Sequence, residues 1–255
     1  MRTIRLSNGI DLRLHELAGD GLPLLFIHGL GCASSCDYPA VTAAPALRGR
    51  RALLVDLPGY GFSDKPDAFS YGIDAHAAAV EELMDLLGLR RVDLFGHSMG
   101  GAVAITVAAR RRERVEHLVL SEPNLDTGGG VFSRAIASAS EQDHVTRGHA
   151  DVIRDALASG SQAWAGSVAI ASPRAVHRDA VSLVRGADPS WRTQLLGLAG
   201  LPRTLVFGEH SLPDDDHAGF PAQGVDVDVV PAAGHAMAVE NPAGLAAAIA
   251  RACLA

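Results

Sequence analysis

The amino-acid sequence predicts an α/β fold: a mostly parallel central sheet with helices on both faces and an inserted helical cap. Three observations carry this. Short apolar runs recur along the chain, each leading into turn residues and then a helical pattern. The runs are almost continuously apolar, as strands covered on both faces are. One stretch, residues 126–200, breaks the rhythm with helical patterns and no convincing strand.

In chain order, residues 3–6 and 10–17 flank Ser7-Asn8-Gly9. Asn-Gly between extended runs predicts a hairpin, so the sheet should begin antiparallel. Residues 22–27 form the next run and lead into His28-Gly29-Leu30-Gly31, and residues 51–55 lead into Asp56-Leu57-Pro58-Gly59. A helix follows, with Asp74 as N-cap, Val80, Leu83, Met84 and Leu87 at helical spacing, and Gly88 as its stop. Runs at 92–95 and 115–120 come next. The insertion opens with Gly128-Gly129-Gly130 and is punctuated by Gly148, Gly160, Pro173, Gly186 and Pro189. Runs at 204–207 and 225–230 complete the sheet, and Asn241 then Pro242 start a last helix reaching about Cys253. The expected division is a core of residues 1–125 and 201–255 with a cap of residues 126–200.

The composition narrows the function. The 255 residues carry 22 Lys+Arg against 29 Asp+Glu, a formal charge of −7, and are 48% hydrophobic. That excludes general disorder and gives no electrostatic reason to expect nucleic acid. No apolar run approaches the ~18 residues of a membrane span, and the start lacks the apolar stretch of a secretory signal. Three cysteines cannot make a disulfide framework. The expectation is a soluble, cytoplasmic, single-chain protein acting on a small molecule, a monomer by default.

Gly96-His97-Ser98-Met99-Gly100 stands between an expected strand and an expected helix. This is the setting of a nucleophile elbow, in which a serine is held in a strained turn and its neighbours must be small for strand and helix to approach. The helix behind it, residues 100–109, is built of small and branched side chains. Arg110, Arg111, Arg112 and Arg114 then complement its negative end.

With these residues the sequence resembles the α/β-hydrolase family over essentially its whole length. His28-Gly29-Leu30-Gly31, the stretch from Asp56 to Asp64, the insertion, and Gly234-His235 with Glu240-Asn241-Pro242 match in the family's order. The resemblance implies Ser98 as nucleophile and His235, after the last strand, as its base. It implies an oxyanion hole from the amides of Met99 and Leu30, and a loop-shaping role for His28. His97 is expected to point into packing. His144, His149, His177 and His217 are expected to be exposed or structural.

The triad acid departs from the usual pattern. Most of the family carries an Asp in the loop after the run at 204–207, where this sequence has Gly208-Glu209-His210-Ser211. One candidate is the run Asp214, Asp215, Asp216, which reads better as a solvated turn or helix start. The favoured candidate is Glu122, just past the preceding strand, where certain haloalkane dehalogenases and zearalenone hydrolases carry their acid. Asp56 is expected to organise the following turn. Cys32, Cys36 and His28 fall short of a tetrahedral metal set and read as buried small hydrophobes and a structural histidine. Trp164, Trp191, Phe132, Ile136 and Met237 are candidate pocket walls.

The expected function is therefore hydrolysis of a carboxylic ester or lactone of a small, largely apolar substrate through an acyl-enzyme, with no cofactor and no metal. Ser98 argues against the aspartate-dependent dehalogenases and epoxide hydrolases of this fold. Carbon–carbon bond hydrolases and cofactor-free haloperoxidases share the serine and stay open. The Ser211 departure keeps a non-catalytic, receptor-like relative open as well.

Overall fold

Residues 1–253 are described by the computed structural model. The chain begins with the expected hairpin, β1 (Arg2–Arg5) antiparallel to β2 (Asp11–Leu17), turned through Gly9 at φ +84 with its N–H on Leu6 O. Then follow β3 (Asp20–Ile27), β4 (Arg50–Asp56), β5 (Val92–His97), β6 (Val115–Ser121), β7 (Arg203–Gly208) and β8 (Asp226–Val230). They form one sheet in the order β1-β2-β4-β3-β5-β6-β7-β8. β2 is antiparallel to β4, and every later pairing is parallel.

The strand order reverses at one place. β3 connects onward to β4 on one side, while β5 connects onward to β6 on the other, so a crevice opens beyond the carboxyl ends of β3 and β5. That is where open α/β sheets place their sites. Alternation along β3 explains the two cores. Leu25 and Ile27 join the cluster under α3 (Ile73–Leu86) and α4 (Met99–Arg110). Leu24 and Phe26 join a second cluster, with residues of α2 (Pro39–Ala43) and α13 (Pro242–Ala252).

Between β6 and β7 the described chain holds helices joined by turns, with no strand: α5 (Val131–Ala137), α6 (Glu141–Asp143), α7 (His149–Ala158), α8 (Gln162–Ala169), α9 (Pro173–Arg185) and α10 (Trp191–Gly197). Pro173 begins α9 behind its N-cap Ser172, and Gly186 at φ +74 ends it. Gly148 departs from expectation: the helix runs through it as a π turn, His144–Gly148, joined directly to α7. A widened turn accommodates what a glycine break would otherwise interrupt. Asp74 also departs. The N-cap of α3 is Gly72, and Asp74 is the second helical residue, where it still complements the positive helix end and pairs with Arg110. Arg111 and Arg114 pair with Glu81 and Asp85, so the basic run is an ion-paired helix end. Asn241 caps α13 as expected, accepting from the Gly244 amide at 2.8 Å. No helix among the described residues is long and apolar enough to cross a membrane.

A carboxylate ties this helical segment to the turn after β4 and the start of α3. Asp179 of α9, fully buried, accepts from Tyr60 Oη at 2.5 Å, from the Gly72 amide and from His76 Nε2 at 2.9 and 3.0 Å. Within the segment, His144, His149 and His177 are buried together, with ring centroids 5.6 and 5.5 Å from His144. Burial, with His149 and His177 beside it, pushes His144 down to about 4. Native protein therefore refuses a proton that unfolded chain accepts below pH ~6.5, and stability falls as pH drops from there toward 4. The slope reaches about 1.4 kcal/mol per pH unit for such a group. His144→Phe, which keeps the ring contacts without the titration, should flatten the Tm profile between these limits. Parallel profiles for the two proteins would remove His144 from the acid response.

Candidate active site

Ser98 sits on the turn from β5 into α4 at φ +52, ψ −117, a strained region for a residue with a side chain. Backbone hydrogen bonds hold it there. Its N–H donates to Ser121 O at 2.9 Å, and its carbonyl accepts from Gly101 N at 2.9 Å and Asn124 N at 3.2 Å. The flanking glycines are required by space. A Cβ on Gly96 would lie 2.4 Å from Gly100 O, and one on Gly100 would lie 2.3 Å from Ile27 O. The strain and the packing thus come from the same pentapeptide.

Met99 opens α4, so its N–H belongs to the unpaired first turn and points with the positive end of the helix. Leu30 lies on the facing loop after β3. Its carbonyl accepts from Trp164 Nε1 at 2.9 Å, which ties that loop to α8. His28, fully buried, accepts from the Leu57 amide through Nε2 at 3.1 Å and donates through Nδ1 to Gly29 O at 2.9 Å. Burial holds it neutral, its pKa lowered to about 4. It therefore shapes the loop and is spoken for at both nitrogens. Asp56 accepts from Ser35 N, Ser35 Oγ and Phe62 N, bracing the turn as expected.

Glu122 directly follows β6 and also has a positive φ, +38. Its two oxygens divide their work. Oε1 accepts from the Gly208 amide at 2.9 Å, and Oε2 accepts from His235 Nδ1 at 2.6 Å. Burial opposes its ionisation, but the His235 bond, the Gly208 amide and the Ser211 hydroxyl bring the carboxyl down to about 2. The bond at Nδ1 leaves His235 Nε2 as the free, accepting nitrogen. Ser98 and His235 line the same cavity, and among the described residues Ser98 Oγ makes no hydrogen bond.

The alternative acids are engaged elsewhere. Asp214 caps α11 (Asp215–Gly219) through the amides of Asp216 and His217, and Asp216 pairs with Arg192. Both touch the cavity rim, but the carboxylate bonded to His235 is that of Glu122. Ser211, whose position suggested a missing acid, instead has its hydroxyl beside Glu122 and favours the charged form of that carboxyl. No feature of the sequence signalled that support.

The cavity encloses about 890 Å³, a volume suited to a small organic ligand. Phe132, Trp164 and Met237 line it, with the Phe132 and Trp164 rings 4.7 Å apart. Four expectations need correction. Trp191 is 2% exposed and packs in the core, where α10 meets α4, so it is not a pocket wall. Ile136 is likewise buried in that core. His97 does not point into packing. It lines the cavity, its ring 4.6 Å from that of His235 and its Nδ1 on Ser121 O. Burial and His235 hold it neutral, at about 3. Cys36 is exposed and Cys32 half-buried, so the first is not a buried hydrophobe. Asp37, Tyr38, Val131 and Val239, which the sequence did not single out, also line the cavity, as does Cys32, which was not expected there. At the opposite end of β5, Asp93, His117 and Cys253 bring donor atoms within 4.8 Å of one another, but Arg50 already occupies Asp93.

Residues 23–195 match the family model described as alpha/beta hydrolase fold. Among curated relatives, a 2-hydroxy-6-oxo-2,4-heptadienoate hydrolase of Pseudomonas putida is 38% identical over 116 residues, 45% of this chain and 42% of the relative. A haloalkane dehalogenase of Mycobacterium tuberculosis is 32% identical over 176 residues, 67% of this chain and 60% of the relative. The matched part thus spans less than two thirds of either relative. Among solved structures, an esterase from Exiguobacterium antarcticum superposes with a TM-score of 0.80 at 18% identity over 99% of both chains. An enol-lactonase from Burkholderia xenovorans does so at 0.76 and 20% identity over 100% of both. At these identities the superpositions speak for the fold alone.

Proposed function

The chain belongs to the α/β-hydrolase fold family, and we propose that it is a serine hydrolase of an uncharged carboxylic ester or lactone. The observation that carries this reading is the Glu122–His235 bond of 2.6 Å on the wall of the cavity that also holds Ser98. Ser98 Oγ attacks the carbonyl carbon as His235 Nε2 takes its proton. Glu122 fixes the tautomer and stabilises the imidazolium. The Met99 and Leu30 amides receive the oxyanion, an interaction worth about 3 kcal/mol per donor. The tetrahedral intermediate collapses, His235 returns the proton to the leaving oxygen, and water repeats the sequence on the acyl-enzyme. Each step uses this chain's own groups.

The helices of residues 126–200 act in this reading as a cap, supplying Phe132 and Trp164 to the wall. The exposed Val131, Phe132 and Val239 at its rim favour entry of a largely apolar molecule. A second reading, carbon–carbon bond hydrolysis, draws on the 38% identity to the heptadienoate hydrolase. That relative's named substrate is a carboxylate, whereas no Lys or Arg is among the described residues lining this cavity. A dehalogenase is disfavoured because Ser98 stands where that chemistry uses an aspartate.

A fluorophosphonate added to the purified protein should leave one adduct by intact mass, absent from Ser98→Ala. An unlabelled wild type would set the reading aside in favour of a ligand-binding relative.

A further inference from the structure

The cavity does not end in hydrocarbon. Its lining also includes Cys32, Asp37 and Tyr38, carried by the loop after β3 and by α1 (Ser34–Asp37) with the residue that follows it. Tyr38 is 1% exposed, its ring set against Phe26 and Phe95 at 5.0 and 5.5 Å, and its hydroxyl has no hydrogen-bond partner. A buried hydroxyl left unpaired costs stability unless something satisfies it. Asp37 and Cys32 lie close enough to bear electrostatically on that hydroxyl. Burial pushes the Asp37 carboxyl up to about 6, against the opposing contacts of the Cys32 side chain and the Ala33 backbone. No cation lines the cavity among the described residues, so the carboxylate has no charged partner there.

Resting on the serine-hydrolase reading, we infer that Asp37, Tyr38 and Cys32 form a polar end subsite that binds a hydrogen-bond-donating group of the substrate, a hydroxyl or a protonated amine. The donor faces two acceptors, the Asp37 carboxylate and the Tyr38 oxygen, while the Tyr38 O–H is free to donate in return. The rest of the substrate lies along Phe132, Trp164 and Met237. The substrate class becomes an ester or lactone with an apolar middle and one polar terminus. A carboxylate terminus is refused, because it would meet Asp37 with no compensating cation.

The test compares matched substrates. Nitrophenyl alkanoates are set against nitrophenyl esters of ω-hydroxy, ω-amino and ω-carboxy acids of the same length. The same termini are then placed on the alcohol side of acetate esters. In one of the two series the hydroxyl or amino terminus should raise kcat/KM about tenfold to a hundredfold over the plain chain, the range of a hydrogen bond to a charged group. The ω-carboxy members should be the poorest. In Tyr38→Phe, which keeps the Asp37 acceptor, that preference should shrink severalfold with Tm held within a few degrees, since no protein partner of the hydroxyl is lost. A wild type that takes the fluorophosphonate but ranks the plain chains equal or best would overturn the subsite and leave the serine-hydrolase reading intact. So would a Tyr38→Phe protein that keeps the full preference. A wild type that takes no adduct removes the reading beneath both.

Discussion

Replacing Glu122 with Gln should lower kcat/KM for an ester by about three to four orders of magnitude, the scale on which a mis-set tautomer disables such a base. The geometry explains why so small a change is severe. Both carboxylate oxygens accept, one from the Gly208 amide and one from His235 Nδ1. A carboxamide has a single accepting oxygen. If that oxygen faces Gly208, the NH2 faces His235, whose Nδ1 must then accept, and the proton moves to the nitrogen that should receive the Ser98 hydroxyl. If it faces His235, the NH2 is forced onto the Gly208 N–H. Neither arrangement keeps the base ready. Glu122 itself, at about 2, stays ionised throughout the neutral range. Protonation of this carboxyl therefore does not set the acid limb of the wild-type rate profile. Asp214→Asn, by contrast, should weaken the cap of α11 and cost stability rather than turnover. Steady-state rates with an activated ester decide between them. A Glu122→Gln enzyme within tenfold of wild type would move the acid elsewhere.

Much of this was legible because local chemistry and global fold agree. The near-continuous apolar runs, Asn8-Gly9, Asn241-Pro242 and the glycines around Ser98 each had one physical use, and the fold gives each of them that use. Alternation on β3 feeding two cores follows from the same pattern. What escaped reading depends on contacts between distant segments. Trp191 has the composition of a pocket wall, and only the packing of α10 against α4 buries it. His97 differs from a packed histidine solely through the loop that brings His235 over it. Ser211 could be recognised as a departure, but its service to Glu122 needs the ends of β6 and β7 side by side. The polar end formed with Tyr38 was invisible for a simpler reason: a buried tyrosine next to an aspartate has no signature in sequence.

Asp179 carries the largest expected effect on stability. It lies on α9, in the helical segment between β6 and β7, yet its carboxylate accepts from groups next to the sheet: the Tyr60 hydroxyl from the turn after β4, and the Gly72 amide and His76 from the start of α3. All three side chains of the network are fully buried. Asp179→Ala strands the Tyr60 and His76 side chains together with the Gly72 amide, all of them cut off from water. Stranding partners of a buried charged group costs about 3–5 kcal/mol. For a chain of this size that corresponds to a fall in Tm of roughly 10 °C. Asp179→Asn keeps one accepting oxygen and should fall between. The Gly59 turn makes the site sensitive, because Ser172 donates to Gly59 O at 2.7 Å and α9 then packs Ala175 directly over it. Loosening should begin in the helical segment, so proteolytic cleavage within residues 126–200 should accelerate before the sheet unfolds. Urea midpoints and cleavage maps, compared across wild type, Asn and Ala, test both statements. A wild-type midpoint in Asp179→Ala would mean that packing of α9 alone holds the segment in place.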